Sequence, residues 1–205
     1  YTIGGFNSVI GTGIKWNYNF GGDVKIGVTP SLNLDLTFNP DFSQVDVDQQ
    51  VTNLTRFSLF FPERRQFFLE NAGLFSNFGF SKIRPFFSRR IGLYNGQQVP
   101  IIAGARLSGK LSKKLRIGLM NIQTAGNSAL GLEAQNYTVG ALQWQAFGRS
   151  NLSLIFVNRQ GFKGDKINPD DYNRIIGIDY DLQSKDNKWI GKFFFHHSIS
   201  PKNND

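Results

Sequence analysis

The sequence contains no cysteine and only one methionine among 205 residues, and just 19% of its residues are charged. Without cysteine there is no disulfide scaffold, no cysteine-ligated zinc site and no thiol nucleophile. The sequence also lacks any run of about 18 apolar residues, the length that a transmembrane helix needs. These absences exclude small disulfide-stabilised folds, cysteine zinc modules and helical membrane proteins.

Glycine and phenylalanine are abundant instead, with 22 and 20 copies, and 40% of all residues are hydrophobic. This content is too hydrophobic for a disordered chain, and its glycine richness argues against a helical bundle. The net charge is +8, but lysine and arginine are spread along the whole chain. We therefore expect no nucleic-acid partner; a basic lumen, or basic rims that meet anionic lipid head groups, explains the charge more simply.

Eight segments alternate apolar and polar residues with a period of two, the pattern of β-strands. From Gly13 to Phe20, for example, Ile14, Trp16 and Tyr18 share one face with Phe20. The other seven segments begin at Leu32, Ile101, Leu115, Leu142, Leu152, Ile176 and Trp189. They are roughly 9–12 residues long, which suits membrane-crossing strands of about 9–11 residues better than soluble strands of about 5–6.

The polar faces of these strands carry charged residues, which suit a water-filled barrel lumen but not a packed core. Short turns and longer connections also alternate, as in outer-membrane barrels. The short turns are Gly21–Asp23, Ser112–Lys114, Gly148–Ser150 and Ser184–Lys188, and the longer connections are Ala125–Asn136 and Gln160–Asp171. We therefore predict an all-β fold, an antiparallel transmembrane β-barrel; a soluble β-sandwich or β-solenoid is the alternative.

The alternation breaks in residues 39–99, which we call the insert. Pro62, Glu63 and Gly73 predict a short helix, with Pro62 at its first position, Glu63 in its first turn and Gly73 just past its end. Arginine and phenylalanine alternate through the insert, and this composition fits either a plug or constriction in the lumen or a self-packed structural segment. The candidate ligand or lumen residues are Asp41, Asp46, Asp48, Arg56, Glu63, Arg64, Arg65, Glu70, Arg89 and Arg90.

Three motifs of this region are long and specific: Asn39–Val45 (NPDFSQV), Asn53–Phe57 (NLTRF) and Phe60–Glu70 (FFPERRQFFLE). They resemble the Bacteroidota family known as domain of unknown function 5916. The resemblance implies an outer-membrane β-barrel, whose parent proteins usually carry an N-terminal domain similar to carbohydrate-binding module family 9, which this sequence lacks. No catalytic residue can be assigned to this sequence from the resemblance.

We expect the sequence to be an internal piece of a larger bacterial outer-membrane barrel with at least eight strands, and with the insert in or over the lumen. Its expected role is transport or surface binding of a glycan or small molecule, and its expected partners are outer-membrane lipid and envelope proteins. A membrane-associated hydrolase at the barrel mouth and an envelope assembly scaffold are the alternatives. We expect no cofactor and no metal site, since His196 and His197 are adjacent on a strand and point to opposite faces.

Overall fold

The computed structural model describes residues 2–9, 12–40, 63–80, 83–94, 97–127 and 131–201, with residues 2–9, 12–19 and 97 described by their backbone alone. The strands are β1 (Thr2–Val9), β2 (Thr12–Phe20), β3 (Gly22–Thr29), β4 (Leu32–Phe38), β5 (Leu93–Tyr94), β6 (Gln97–Gln98), β7 (Ile101–Lys110), β8 (Leu115–Thr124), β9 (Gln135–Ala146), β10 (Ser150–Lys163), β11 (Lys166–Gln183) and β12 (Ile190–Ile199). Within these ranges the helices are α1 (Gln66–Leu69), α2 (Gly73–Ser76) and a single 3₁₀ turn, Ser88–Arg90.

An antiparallel sheet of eight strands dominates the fold, in the order β12-β11-β10-β9-β8-β7-β4-β3. Each strand pairs with its neighbour along the chain, except that β4 pairs with β7 across the insert. Within the described residues the sheet is open, with β3 and β12 at its edges, and β1 and β2 form a separate pair. The predicted all-β, antiparallel character is confirmed, and each of the eight predicted segments is a strand.

Strand β3 was not predicted, and the turn expected at Gly21–Asp23 does not join two neighbouring strands of the sheet. β3 begins at Gly22 and forms a hairpin with β4 instead, with Val24 opposite Leu36. The chain turns at Pro30 and Ser31. The alternation of Val24, Ile26 and Val28 was the available signal, but this run is short and rich in glycine.

The long connection expected at Gln160–Asp171 is also wrong. β10 and β11 continue through this region as one hairpin that pairs Lys163 with Lys166. An irregularity in the register after Gln160 accommodates the additional residues, and the Gln160 side chain donates to the carbonyls of Asn168 and Asp171. Backbone pairing holds this hairpin without the apolar alternation on which the prediction relied.

The predicted helix of the insert is present only in part. Pro62 lies outside the described residues, α1 spans four residues, and Gly73 begins α2 instead of following a helix end. α2 packs directly on β8: Leu74 and Phe75 are 2% and 3% exposed, and both reach the backbone at Gly118. Burying two such side chains contributes about 1.5–3 kcal/mol each.

The insert covers one face of the sheet, and the main core lies between the two. The insert supplies Phe68, Leu74, Phe75, Phe78, Phe86 and Ile91, and the sheet supplies Ile101, Met120, Ile122, Val139, Ala141, Ile155 and Val157. These sheet residues follow every second position along β7 to β10, so they share one face. The insert therefore takes the place of a second layer on that face.

The opposite face of the sheet is apolar and exposed. One row of cross-strand neighbours on this face runs over five strands, from β8 to β12, and each residue lies opposite the next. The row consists of Ile117, Leu142, Leu154, Ile178 and Phe195. The large exposed side chains of this face include Val24, Ile26, Leu36, Leu119, Trp144, Leu154, Phe156, Ile176, Ile178, Phe193 and Phe195. Among the described residues, no helix is both long and apolar enough to cross a bilayer.

The contact between α2 and β8 can be tested at Gly118. An added Cβ would lie 2.6 Å from Phe75 Cζ and 2.9 Å from Leu74 Cδ2. We expect Gly118→Ala to reduce the free energy of unfolding by about 1–3 kcal/mol because the helix must shift. Urea unfolding followed by tryptophan fluorescence measures the change.

Gly140→Ala on neighbouring β9 is the matched control, since its Cβ would meet only Leu119 Cδ2, at 3.7 Å, on the exposed face. Equal effects of the two variants would show that α2 does not rest on β8.

Candidate functional site

The predicted site residues fall into separate places. Asp41, Asp46, Asp48 and Arg56 lie outside the described residues. Of the remaining candidates, Glu63 and Arg65 form one cluster, and Glu70 belongs to another cluster with strand residues. Arg89 is buried, whereas Arg90 is exposed. Glu63 and Glu70, the two candidate carboxylates in the described part of the chain, therefore lie in separate clusters.

Glu63 and Arg65 form a bidentate ion pair inside the insert. Arg65 Nε donates to Glu63 Oε1 at 2.9 Å, and Arg65 Nη2 donates to Oε2 at 2.8 Å. Arg65 also donates to the carbonyls of Ile91 and Ser88, and its guanidinium lies 4.1 Å from the centre of the Phe68 ring. One arginine thus joins the start of the helical segment to the 3₁₀ turn.

The Glu63 carboxylate is fully engaged in this cluster. It accepts hydrogen bonds from the backbone N–H groups of Arg64 and Arg65 and from Ser88 Oγ. Burial by itself would raise the pKa of Glu63, but the hydrogen bonds and charge of Arg65, with Ser88, hold that pKa below its ordinary value of 4.5. An ionised carboxylate without an open acceptor position suits a structural role, not general acid catalysis.

The second cluster joins the insert to the sheet around Arg106, which is 2% exposed. Arg106 Nη2 donates to Asp35 Oδ2 at 2.8 Å, and Arg106 Nη1 donates to the Glu70 carbonyl at 2.7 Å. The Glu70 carboxylate accepts from Asn33 and pairs with Lys25. The hydrogen bond from Lys25 is the main reason that the pKa of Glu70 lies below its ordinary value of 4.5.

A third cluster, around Asp179, has no counterpart among the predicted residues. Asp179 is 0% exposed, and its Oδ1 lies 2.6 Å from His196 Nε2. Its Oδ2 accepts from the backbone N–H of Gly79 at 2.7 Å and lies 3.2 Å from Lys192 Nζ. Lys192 also donates to the Asn77 carbonyl. Two neighbouring strands therefore bind the 77–79 turn of the insert.

Gly79 is required at this contact. Its φ is +64°, and a Cβ there would lie 2.0 Å from the Ile83 carbonyl oxygen and 3.1 Å from His196 Cε1. His196 faces the insert, while His197 lies on the other face of β12, as the sequence predicts. Within the described residues, no three His, Asp or Glu side chains are grouped to hold a metal ion.

An open cavity of about 490 Å³ adjoins the Asp179 cluster. Its sheet side is lined by Gln143, Asn151, Asp181 and Lys192, one from each of β9 to β12. Its insert side is lined by residues 76–80 and Arg84. The lining combines ammonium, carboxylate and amide groups, so the cavity can accept a polar ligand.

A family model described as "Domain of unknown function (DUF5916)" matches residues 1–200. The chain belongs to this family. The match covers all the described strands and the insert, so the resemblance noted in the insert motifs extends through the sheet. Searches of curated proteins and of solved structures returned no match.

The DUF5916 model carries no activity, so the function has to be inferred from the geometry of the three clusters and the cavity. Cross-strand register was the signal that would have revealed the third cluster. Lys192 lies directly opposite Asp181, and His196 lies opposite Gly177, two residues from Asp179.

Removal of the Arg106 guanidinium should leave Asp35 buried without its partner. We expect Arg106→Met to reduce the free energy of unfolding by about 3–5 kcal/mol, and the double variant Arg106→Met/Asp35→Leu to be less destabilised than the single one. Urea unfolding of the wild type, the two single variants Arg106→Met and Asp35→Leu, and the double variant measures the coupling between the two side chains.

Lys188→Met is the control, because its pair with Asp186 is exposed to solvent and should contribute little to stability. If the Arg106 and Asp35 effects simply add, the two side chains do not form an energetically coupled pair.

Proposed function

We propose that this chain forms part of the wall of an outer-membrane β-barrel, with the insert inside the lumen, and that the protein binds or passes a small polar solute. The observation that carries the proposal is the contrast between the two faces of the sheet. One face is apolar and exposed across all eight strands, and the other buries Asp35, Arg106 and Asp179 beneath the insert.

A soluble sandwich would have apolar residues between its layers and charges toward water. Here the covered face holds the ion pairs as well as the main apolar core, while the other face is apolar and exposed, which suits a barrel wall between a polar interior and lipid. Strands β7 to β12 are 10 to 18 residues long, enough for a tilted crossing of the hydrocarbon layer, which needs about 9–11 residues. These features support lipid, and not a second protein layer, as the occupant of the apolar face.

The polar contacts of the insert support its place in the lumen. It is tied to β3, β4 and β7 through Glu70, and to β11 and β12 through the 77–79 turn. It therefore spans the sheet from one edge to the other on the polar face. An insert fixed across the inner wall of a barrel would control which solutes pass through the lumen.

Passage or binding is better supported than hydrolysis. A glycan hydrolase would need two carboxylates that face one substrate position. Of the candidate carboxylates within the described residues, Glu63 and Glu70 lie in different clusters, and each is already engaged by cationic partners. The polar cavity beside the Asp179 cluster offers a place for a solute without requiring such a pair.

Because the sequence has no cysteine, single-cysteine variants can report which face meets lipid. We expect a nitroxide at Leu154→Cys, on the apolar face, to collide readily with oxygen and poorly with a water-soluble nickel chelate. A nitroxide at Lys113→Cys, in the β7–β8 turn, should show the reverse. The measurement is EPR power saturation of the full-length protein in phosphatidylcholine vesicles, after heat-dependent gel migration has verified folding.

If the label at residue 154 of the folded protein met the nickel chelate as readily as the label at residue 113, the apolar face would not contact lipid. The barrel proposal would then be abandoned in favour of a soluble β-sandwich.

The role of the insert can be tested at Asp179. Asp179→Asn removes the charge that binds the Gly79 N–H, Lys192 and His196, and charged hydrogen bonds contribute about 1.5–3 kcal/mol each. We expect the conducting fraction of the protein in planar bilayers to rise about tenfold, since the insert is held less tightly. Asp186→Asn, in the exposed β11–β12 turn, should leave conductance unchanged.

Unchanged conductance in a correctly folded Asp179→Asn protein would contradict a lumenal role for the insert. An equal rise in Asp186→Asn would show that the effect comes from charge alone and not from release of the insert.

A further inference from the structure

The cavity beside the Asp179 cluster has unused hydrogen-bonding groups on its sheet side. The Asn151 side chain makes no hydrogen bond within the described part of the chain. Gln143 accepts from Arg116 through Oε1 at 3.1 Å, which leaves its Nε2 group available. Asp181 pairs with Lys192 through Oδ1 at 3.1 Å, which leaves Oδ2. The cavity thus offers both donors and acceptors from three adjacent strands.

The charges around the cavity largely cancel. Lys192 lies between two carboxylates, 3.2 Å from Asp179 and 3.1 Å from Asp181. Arg84 lines the cavity from the insert side. An anion would be repelled by the two carboxylates and would compete with them for Lys192, and a cation would be repelled by Lys192. A neutral ligand avoids both costs, because it brings no charge that must be desolvated.

The rim of the cavity supplies an apolar surface. Phe80 is 53% exposed and lines the cavity. Its ring is supported edge-on by Phe194, with 5.3 Å between the ring centres. An exposed aromatic ring beside amide and carboxylate groups can hold a ligand that has a C–H face and several hydroxyl groups.

We propose that this cavity binds a neutral polyhydroxylated ligand with the size of a mono- or disaccharide. Hydroxyl groups both donate and accept, so one ligand can serve Asp181 Oδ2, the Asn151 amide and Gln143 Nε2 together. A volume of about 490 Å³ lies within the range of about 300–1,000 Å³ of small-molecule sites. The assignment rests on the proposed function and deepens it, because it names the class of solute and the side chains that bind it.

Isothermal titration calorimetry of the full-length protein in detergent tests the assignment. The probes are glucose, galactose, xylose, maltose and cellobiose, with inorganic phosphate and glutamate as charged comparisons. We expect at least one neutral sugar to bind, and phosphate and glutamate not to bind. Asn151→Ala should weaken sugar binding about tenfold, as expected for the loss of one hydrogen-bonding side chain.

Asn158→Ala is the matched control, since Asn158 lies on the same strand but faces the opposite side of the sheet. It should leave sugar affinity unchanged. The inference is overturned if no sugar binds, if only a charged probe binds, or if the two asparagine variants weaken binding equally. None of these results alters the lipid-accessibility readout at residue 154, so the failure of this assignment and that of the barrel proposal are distinguishable.

Discussion

The buried guanidinium of Arg106 constrains the arrangement of the whole described structure. A charge that is 2% exposed has to be compensated by partners, and these come from two places: the Asp35 carboxylate on the neighbouring strand and the Glu70 carbonyl of the insert. The sheet without the insert would leave this group only partly bonded. The sheet and the insert are therefore parts of one folding unit, although residues 39–99 interrupt the strand pattern.

This constraint also fixes the strand register. Arg106 lies opposite Asp35 on β4 and opposite Met120 on β8. Because side chains alternate between faces, a slip of one residue would move the guanidinium to the apolar face and expose Met120 with it. The same alternation that buries charges beneath the insert places Leu107 and Leu119 on the other side. The register that buries Arg106 therefore also fixes which side chains form the exposed apolar face.

The sequence predicts much of the fold because long strands carry a strict period of two. This pattern correctly identifies β2, β4 and each strand from β7 to β12. It fails where backbone pairing is not accompanied by alternation, as in the β10–β11 hairpin beyond Gln160. It also fails at β3, whose apolar run is too short to stand out. The Glu63–Arg65 pair is local and so was accessible to sequence reasoning, whereas Asp35 and Arg106 are 71 residues apart and meet only once the register is known.

The forces that hold the insert differ along its length. Around α2 the contact is apolar, because Leu74 and Phe75 pack in the space left by the missing side chain of Gly118. At the 77–79 turn the contact is polar and borders an open cavity. Water can replace a polar contact at a modest net cost, but it cannot replace an apolar one. In the proposed barrel, a displacement of the insert would therefore begin at the Asp179 end and not at α2. The open cavity between the sheet and the insert lies at that same end.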